Sequence, residues 1–338
     1  MPRRTPLVPI VVLLASILTS CGVVDSLTGD EDAVRVYSGR HYDLEEAFEE
    51  FAEDTDISVE FLFGGDAELR ERLETEGESS LADVFMTVDA ANLQIAAEAG
   101  LLQPAGSDAL TNAVPDNLRH PDGLWVGLSK RVRTIMFHPD RVDPEELSTY
   151  EDLADPRWEG RICMRNAANV YTQSLVASLI AHHGFEGARE VVGGWVDNDV
   201  DIIPNDVRIL ETIAAGGCDV GITNHYYLAR LIEDDPSFPV RPFWANQDGR
   251  GVHVNISGAG VAVNADDPDL ATELIEWLAT NGQEAFVYGN HEYPVNPDVE
   301  PPPLVREWGT FREDSLNASE FAALNGDAIR LMNEVGYD

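Results

Sequence analysis

The alternation of strand-like and helix-like segments most constrains the fold of this chain. Apolar runs at 34–38, 57–63 and 82–88 have the length and composition of buried strands, and a stretch with helical spacing follows each of them. The same alternation resumes after residue 160. Strands that alternate with helices at this spacing are typical of a parallel α/β sheet.

Two longer apolar-rich stretches, 124–139 and 252–264, do not fit a single sheet of this kind. We interpret them as strands that cross between two α/β lobes, for which 338 residues at 44% hydrophobic content suffice. The predicted N-terminal lobe comprises residues 33–125 plus about 255–296, and the C-terminal lobe comprises 126–254 plus about 297–338. Because ligands of open α/β sheets bind beyond the carboxyl ends of strands, we expect the site in the cleft between the lobes.

The N-terminus predicts export and a lipid anchor. Residues 1–20 combine two arginines with an apolar stretch that is short for a membrane span, and they read as a signal peptide. Leu-Thr-Ser before Cys21 resembles the lipobox of bacterial lipoproteins; an ordinary signal peptide with an incidental cysteine is the alternative. Residues 21–32 are polar, as expected for a tether. The mature protein is therefore predicted to be extracytoplasmic, on the outer face of the cytoplasmic membrane or in the periplasm.

The chain is strongly acidic, with 22 Lys and Arg against 61 Asp and Glu and a formal charge of −39. Removal of residues 1–20, which contain two arginines and no acid, leaves 20 basic residues against 61 acidic ones, a charge of −41. Such a field excludes nucleic acid as a plausible partner and favours a cation. Solubility in a salty habitat explains the net charge without any ligand.

The remaining cysteines, Cys163 and Cys218, fall within one predicted lobe. A disulfide is the favoured interpretation for an exported chain. Two buried thiols are the alternative. Neither cysteine has the spacing of a metal ligand.

Four of the nine tyrosines lie where predicted strands give way to helices. They are Tyr42 in "SGRHY", Tyr171 in "NAANVY", and Tyr226 and Tyr227 in "NHYY". A single tyrosine at such a position usually covers the core with its hydroxyl in water. Four of them, together with His41, indicate a shared ligand in the cleft.

Phenol oxygens suit a hard trivalent cation such as Fe(III). A free phenol has a pKa near ~10 and is neutral at working pH, but a bound cation displaces its proton, so binding should weaken in acid. Four phenolates around Fe(III) leave one excess negative charge. Arg40, Arg131 and Arg133 are candidates to balance it, although charged strand residues usually face solvent.

Several segments resemble the ferric-iron-binding proteins of bacterial ABC importers, which belong to the type-II periplasmic binding-protein family. They include "YSGRHY", "RNAANVYTQSLVASLIAH", "CDVGITNHYYLARL" and "NHEYPVNP", and the resemblance runs in order from about residue 34 to the C-terminus. It implies a two-lobed α/β fold, Fe(III) as the transported ligand and no enzymatic activity. It also implies delivery to the membrane permease of an ABC importer by a protein that we expect to be a monomer.

The resemblance further implies a ligand set of His41 and Tyr42 from one lobe and Tyr171, Tyr226 and Tyr227 from the other. Some relatives complete the shell with carbonate or another anion held by an arginine, so such an anion is an alternative to His41. His225 stands where relatives usually have a small polar residue, and it is a supporting group, a competitor for the sixth coordination position, or an exposed side chain. "NHEYPVNP" is interpreted as a turn without a ligand.

Two other functions compete with this interpretation. A protein of the same fold could carry an anion, a polyamine or a vitamin, although none of these needs four phenols. An extracytoplasmic enzyme is the second alternative. The sequence has no serine elbow, no Cys–His pair outside the possible disulfide and no metal-hydrolase spacing.

Overall fold

The computed structural model describes residues 33–40 and 45–338. The predicted signal peptide, Cys21, the tether, His41 and Tyr42 lie outside the described residues. None of the helices within the described ranges has the length and apolar character required to cross a membrane.

The strands are β1 (Val34–Ser38), β2 (Val59–Phe63), β3 (Val84–Thr87), β4 (Leu102–Gln103), β5 (Val126–Phe137), β6 (Ile162–Arg165), β7 (Asp201–Ile203), β8 (Val220–Asn224), β9 (Arg241–Phe243), β10 (Val254–Ala262) and β11 (Tyr293–Pro294). The helices are α1 (Glu45–Thr55), α2 (Asp66–Glu76), α3 (Ala90–Glu98), α4 (Asp108–Ala113), α5 (Val170–Asp197), α6 (Asp206–Ala215), α7 (His225–Asp234), α8 (Pro268–Ala279), α9 (Gln283–Tyr288), α10 (Pro303–Arg306), α11 (Ala318–Ala322) and α12 (Asn325–Val335). Strands and helices alternate at both ends of the sheet, as the sequence predicts.

The main strands follow the order β2-β1-β3-β10-β5-β8-β6-β7. Strands β1, β2 and β3 are mutually parallel neighbours, as are β6, β7 and β8. Between these two groups lie β10 and β5, which are antiparallel to each other and to their outer neighbours. This mixed α/β sheet confirms the predicted fold class.

Strand β5 connects the two halves of the sheet. Its first part, Val126–Val132, pairs with β10, and its second part, Arg133–Phe137, pairs with β8. The predicted crossing at 124–139 is therefore observed, with β10 as its antiparallel neighbour. Arg131 and Arg133 lie where the pairing changes from one half to the other, at the middle of the molecule.

Helices cover both faces of the central strands. Every residue of β3, β8 and β10 is buried. Strands buried on both faces read as near-continuous apolar runs, which is why these segments are recognisable in the sequence. At Gly258 in β10 an added Cβ would lie 2.5 Å from the carbonyl oxygen of Val126, so the close approach of β10 to β5 requires glycine there.

A disulfide joins Cys163 in β6 to Cys218, just before β8, with the two Cα atoms 5.9 Å apart. Both residues are buried. Because β6 and β8 are parallel neighbours, the bond covalently links two strands in the half of the sheet that carries Tyr171, Tyr226 and Tyr227. The predicted disulfide is confirmed.

Candidate metal centre

Three of the four predicted tyrosine ligands lie in the first turns of two helices. Tyr171 is the second residue of α5, and its backbone N–H donates to the side chain of the helix-capping Asn169 at 3.0 Å. Tyr226 and Tyr227 are the second and third residues of α7, which begins directly after β8. Both positions therefore lie at the positive end of a helix dipole, where a negative ligand is favoured.

One guanidinium joins tyrosines from both helices. Arg131 donates from Nη1 to the hydroxyl of Tyr171 at 3.2 Å and from Nη2 to the hydroxyl of Tyr226 at 3.0 Å. The ring centroids of Tyr226 and Tyr227 are 4.4 Å apart. Tyr226 is fully buried and Tyr171 is 8% exposed, whereas Tyr227 is half-buried. The tertiary structure thus brings the three phenols to one place.

A second arginine, Arg165, interacts with Tyr171 and Tyr227. The guanidinium carbon of Arg165, at the end of β6, lies 5.7 Å from the ring centroid of Tyr171. Burial lowers the pKa of Arg165, but Asp206 and then Tyr227 outweigh this effect and raise it above its usual value. The charged form of Arg165 is therefore held next to the third phenol.

Each of these arginines is paired with a buried carboxylate. Glu292 accepts from Nε of Arg131 at 3.0 Å and from Nη1 of Arg40 at 2.5 Å. Burial raises the pKa of Glu292, but Arg40 and Arg131 outweigh this and lower it to about 2. On the other side of the tyrosines, Asp206 accepts from Arg165 and from Arg133.

The three arginines proposed from the sequence are all buried rather than facing solvent. Arg131 contacts the tyrosines directly. Arg133 donates to Asp206 at 2.8 Å and to Asn224 Oδ1 at 3.2 Å, and Asn224 in turn donates to the Tyr226 hydroxyl at 3.2 Å. Arg40 donates to Glu292 and to Ser257. Two groups of two arginines and one carboxylate result, and each carries one net positive charge. They are Arg40 and Arg131 with Glu292, and Arg133 and Arg165 with Asp206.

His225 is a buried support and not an exposed side chain. Its Nδ1 accepts from the backbone N–H of Val132 at 3.1 Å, and its Nε2 lies 2.9 Å from the carbonyl oxygen of His291. A neutral ring with the proton on Nε2 satisfies both contacts. Burial lowers the pKa of His225 to about 4, which agrees with the neutral form.

This buried histidine predicts a loss of stability in acid. The unfolded chain binds a proton at His225 near pH 6.5, whereas the folded chain does so only near pH 4. Between these values the free energy of unfolding should therefore fall with decreasing pH by about 1.4 kcal/mol per unit for this residue. Denaturant unfolding of the wild type and of His225→Gln across pH 4–7 tests this, and parallel curves for the two proteins would contradict it.

Sequence reasoning missed four groups around the tyrosines: Arg165, Asp206, Asn224 and Glu292. Arg165 and Asn224 end strands just before the tyrosine-bearing helices. The argument that ligands bind at the carboxyl ends of strands could therefore have identified them. Asp206 is at the start of another helix. Glu292 falls in the "NHEYPVNP" turn, and no local pattern marks its role.

Among the described residues no group of three or more His, Cys, Asp and Glu side chains is placed to hold a metal ion. A cavity of about 610 Å³ opens nearby, and none of the three tyrosines is among its described lining residues. Its lining includes Val170, which precedes Tyr171, and Val88, whose carbonyl accepts from Arg131 at 2.8 Å. The site therefore combines phenol oxygens with compensating positive charge.

Comparisons with known proteins identify the family of this chain. A family model described as bacterial extracellular solute-binding protein matches residues 79–308. The chain is 39% identical over 341 residues to iron uptake protein A1 of Synechocystis sp., which covers 97% of this chain and 95% of that protein.

Solved structures show the same likeness. One is a Trichodesmium protein in complex with iron and citrate ligands, with a TM-score of 0.87, 45% identity and coverage of 90% of this chain and 100% of that one. Another is a ferric binding protein from Campylobacter jejuni, with a TM-score of 0.84, 32% identity and the same coverage. On this fold, site and similarity, the chain belongs to the bacterial extracellular solute-binding protein family.

Proposed function

We propose that this protein captures Fe(III) in the cleft between its two lobes through tyrosine phenolates and delivers the ion to an ABC importer. The observation that carries the proposal is the buried guanidinium of Arg131 between the hydroxyls of Tyr171 and Tyr226, with the ring of Tyr227 4.4 Å from that of Tyr226. The relatives support it, because two of them are named for iron uptake and a similar solved structure holds iron.

In this proposal Tyr171, Tyr226 and Tyr227 are ligands from the C-terminal lobe. His41 and Tyr42, which follow Arg40 in the sequence, complete the shell from the N-terminal lobe, with an anion such as carbonate as the alternative to His41. The lobes are those predicted above, residues 33–125 with about 255–296 and residues 126–254 with about 297–338. Ligands from both lobes make closure around the ion the signal that the permease reads.

The charges around the site favour ferric iron. Fe(III) with four phenolates carries one negative charge. The group Arg40–Arg131–Glu292 and the group Arg133–Arg165–Asp206 each carry one positive charge close to the phenols. Opposite charge nearby favours the ionised form of a titratable group, so these groups promote loss of the phenol protons.

We infer that the protein is a binding protein and not an enzyme, and its membership of a solute-binding family supports this. We infer that the mature chain begins at Cys21, carries a lipid there and acts as a monomer on the outer face of the cytoplasmic membrane or in the periplasm. The alternative cargo, an anion, a polyamine or a vitamin, is not favoured, because the comparisons point to iron.

Titration of the metal-free protein with ferric citrate at pH 7.5 tests the function. We expect a visible charge-transfer band that saturates at one iron per chain, because phenolates transfer charge to Fe(III). Acidification should bleach the band, since protons compete with the metal for the phenol oxygens. A folded protein that stays colourless and retains no iron after gel filtration would refute the proposal.

A further inference from the structure

We propose that Glu292 is a positioning residue for the iron site: it holds Arg131 so that one guanidinium directs the hydroxyls of Tyr171 and Tyr226 toward the same ion. This inference rests on the proposed function. It assigns a task in metal binding to a turn that supplies no ligand.

The Glu292 carboxylate is fixed from every side. Oε1 accepts from Arg131 Nε at 3.0 Å and from Asn290 Nδ2 at 2.6 Å. Oε2 accepts from Arg40 Nη1 at 2.5 Å and from the hydroxyl of Ser129. The side chain is fully buried. A carboxylate with four donors in the protein interior cannot rotate without leaving a buried donor unpaired, which makes it a rigid anchor.

Arg131 connects the fixed carboxylate of Glu292 to the tyrosine hydroxyls. Its Nε is held by Glu292, and its Nη1 also donates to the carbonyl of Val88 at 2.8 Å. The two Nη groups donate to Tyr171 and Tyr226. Because the guanidinium is planar, a bond at Nε fixes the plane in which both Nη groups lie. The direction of the phenol oxygens therefore depends on Glu292.

The backbone around Glu292 is tied to the tyrosine-bearing helix α7 at two further points. His225, the first residue of α7, contacts the carbonyl of His291 through Nε2 at 2.9 Å, and Arg230 of α7 donates to Asn290. Immediately after Glu292, β11 pairs with β5 next to Arg131, with Tyr293 opposite Lys130. Three consecutive residues, 290–292, thus connect β5 with the tyrosine pair.

The test compares Glu292→Gln with Glu313→Gln. Glu313 forms an ion pair at 2.5 Å with Lys130, the residue before Arg131, so the control removes the same charge from a partner of the same strand. We expect Glu292→Gln to weaken Fe(III) binding about 10- to 100-fold in competition with citrate, as loss of groups that orient ligands does. We also expect its charge-transfer maximum to shift, whereas Glu313→Gln should match the wild type in both measurements.

A purely structural role would lower the melting temperature of Glu292→Gln and leave the affinity and band of the folded protein unchanged, and this result would overturn the inference. If Glu292→Gln does not fold, Glu292→Asp keeps the buried negative charge but draws it back by one methylene. It should then show the shifted band, and a wild-type band with wild-type affinity would overturn the inference equally. A wild type that binds no iron would instead refute the proposed function.

Discussion

Replacing Tyr226 or Tyr227 by phenylalanine is expected to lower the affinity for Fe(III) by more than about 100-fold, because even groups behind the ligands typically contribute 10- to 100-fold. Each substitution removes a phenolate and leaves the ring in place. The charge-transfer band should weaken and shift in both variants, since one of its donors is lost.

The two substitutions should differ in their effect on folding. Tyr226 is fully buried, and its hydroxyl accepts from Arg131 and Asn224, so phenylalanine removes the acceptor of two buried hydrogen bonds. A cost of about 1–3 kcal/mol in unfolding free energy is expected for the loss of such an acceptor. Tyr227 is half-buried, so Tyr227→Phe should unfold close to the wild type.

Iron competition with citrate, absorption spectra and denaturant unfolding measure these effects. Tyr293→Phe is the matched control: its hydroxyl donates to the Val305 carbonyl at 3.2 Å, and its ring lies 4.8 Å from that of His225, behind the tyrosine pair. The control should keep both colour and affinity. Unchanged spectra and affinities in Tyr226→Phe and Tyr227→Phe would show that the ion, if bound, is held elsewhere.

Removing the disulfide by Cys163→Ala together with Cys218→Ala is expected to lower the free energy of unfolding by about 4 kcal/mol. The bond closes a segment with a sequence separation of 55, and the estimate follows from the loss of chain entropy that such a closure imposes on the unfolded state. Because the bond lies in the sheet half that carries Tyr171, Tyr226 and Tyr227, the site should also be lost at a lower temperature.

Urea unfolding of the iron-free double variant, compared with oxidised wild type, measures this cost. Reduced wild type is the control, because it breaks the bond without changing the composition of the core. At 20 °C the folded variant should bind Fe(III) as tightly as the wild type, since the substitutions leave the phenols and Arg131 unchanged. A loss below about 1 kcal/mol would mean that the unfolded chain retains structure in this segment.

Much of the fold could be predicted from local pattern. The run at 34–38 is β1, the stretch at 124–139 contains the crossing strand β5, and Cys163 is bonded to Cys218. Tyr171, Tyr226 and Tyr227 were placed at strand-to-helix corners, and the structure has them in the first turns of α5 and α7. The strand and helix predictions succeed because burial, periodicity and helix capping act between residues close in sequence, whereas the disulfide follows from the two cysteines that remain beyond Cys21.

The arrangement around the phenols could not be predicted in this way. Nothing local shows that Arg131 is buried between Tyr171 and Tyr226, since strand arginines usually face solvent. Nor does the turn at 290–292 reveal that Glu292 anchors Arg131, from which it is separated by 161 positions. The neutral form of the buried His225 ring likewise depends on hydrogen bonds with Val132 and His291, which only the folded chain brings to its ring.

The sequence by itself thus determined the alternating α/β architecture and the residue types offered to a metal, and it favoured the disulfide. The tertiary structure alone decided which arginine meets which tyrosine and which carboxylate orients it. The physical reason is that a strand or a helix turn is fixed by neighbours within a few positions. A buried charge, in contrast, is stabilised only by partners that packing delivers from distant parts of the chain.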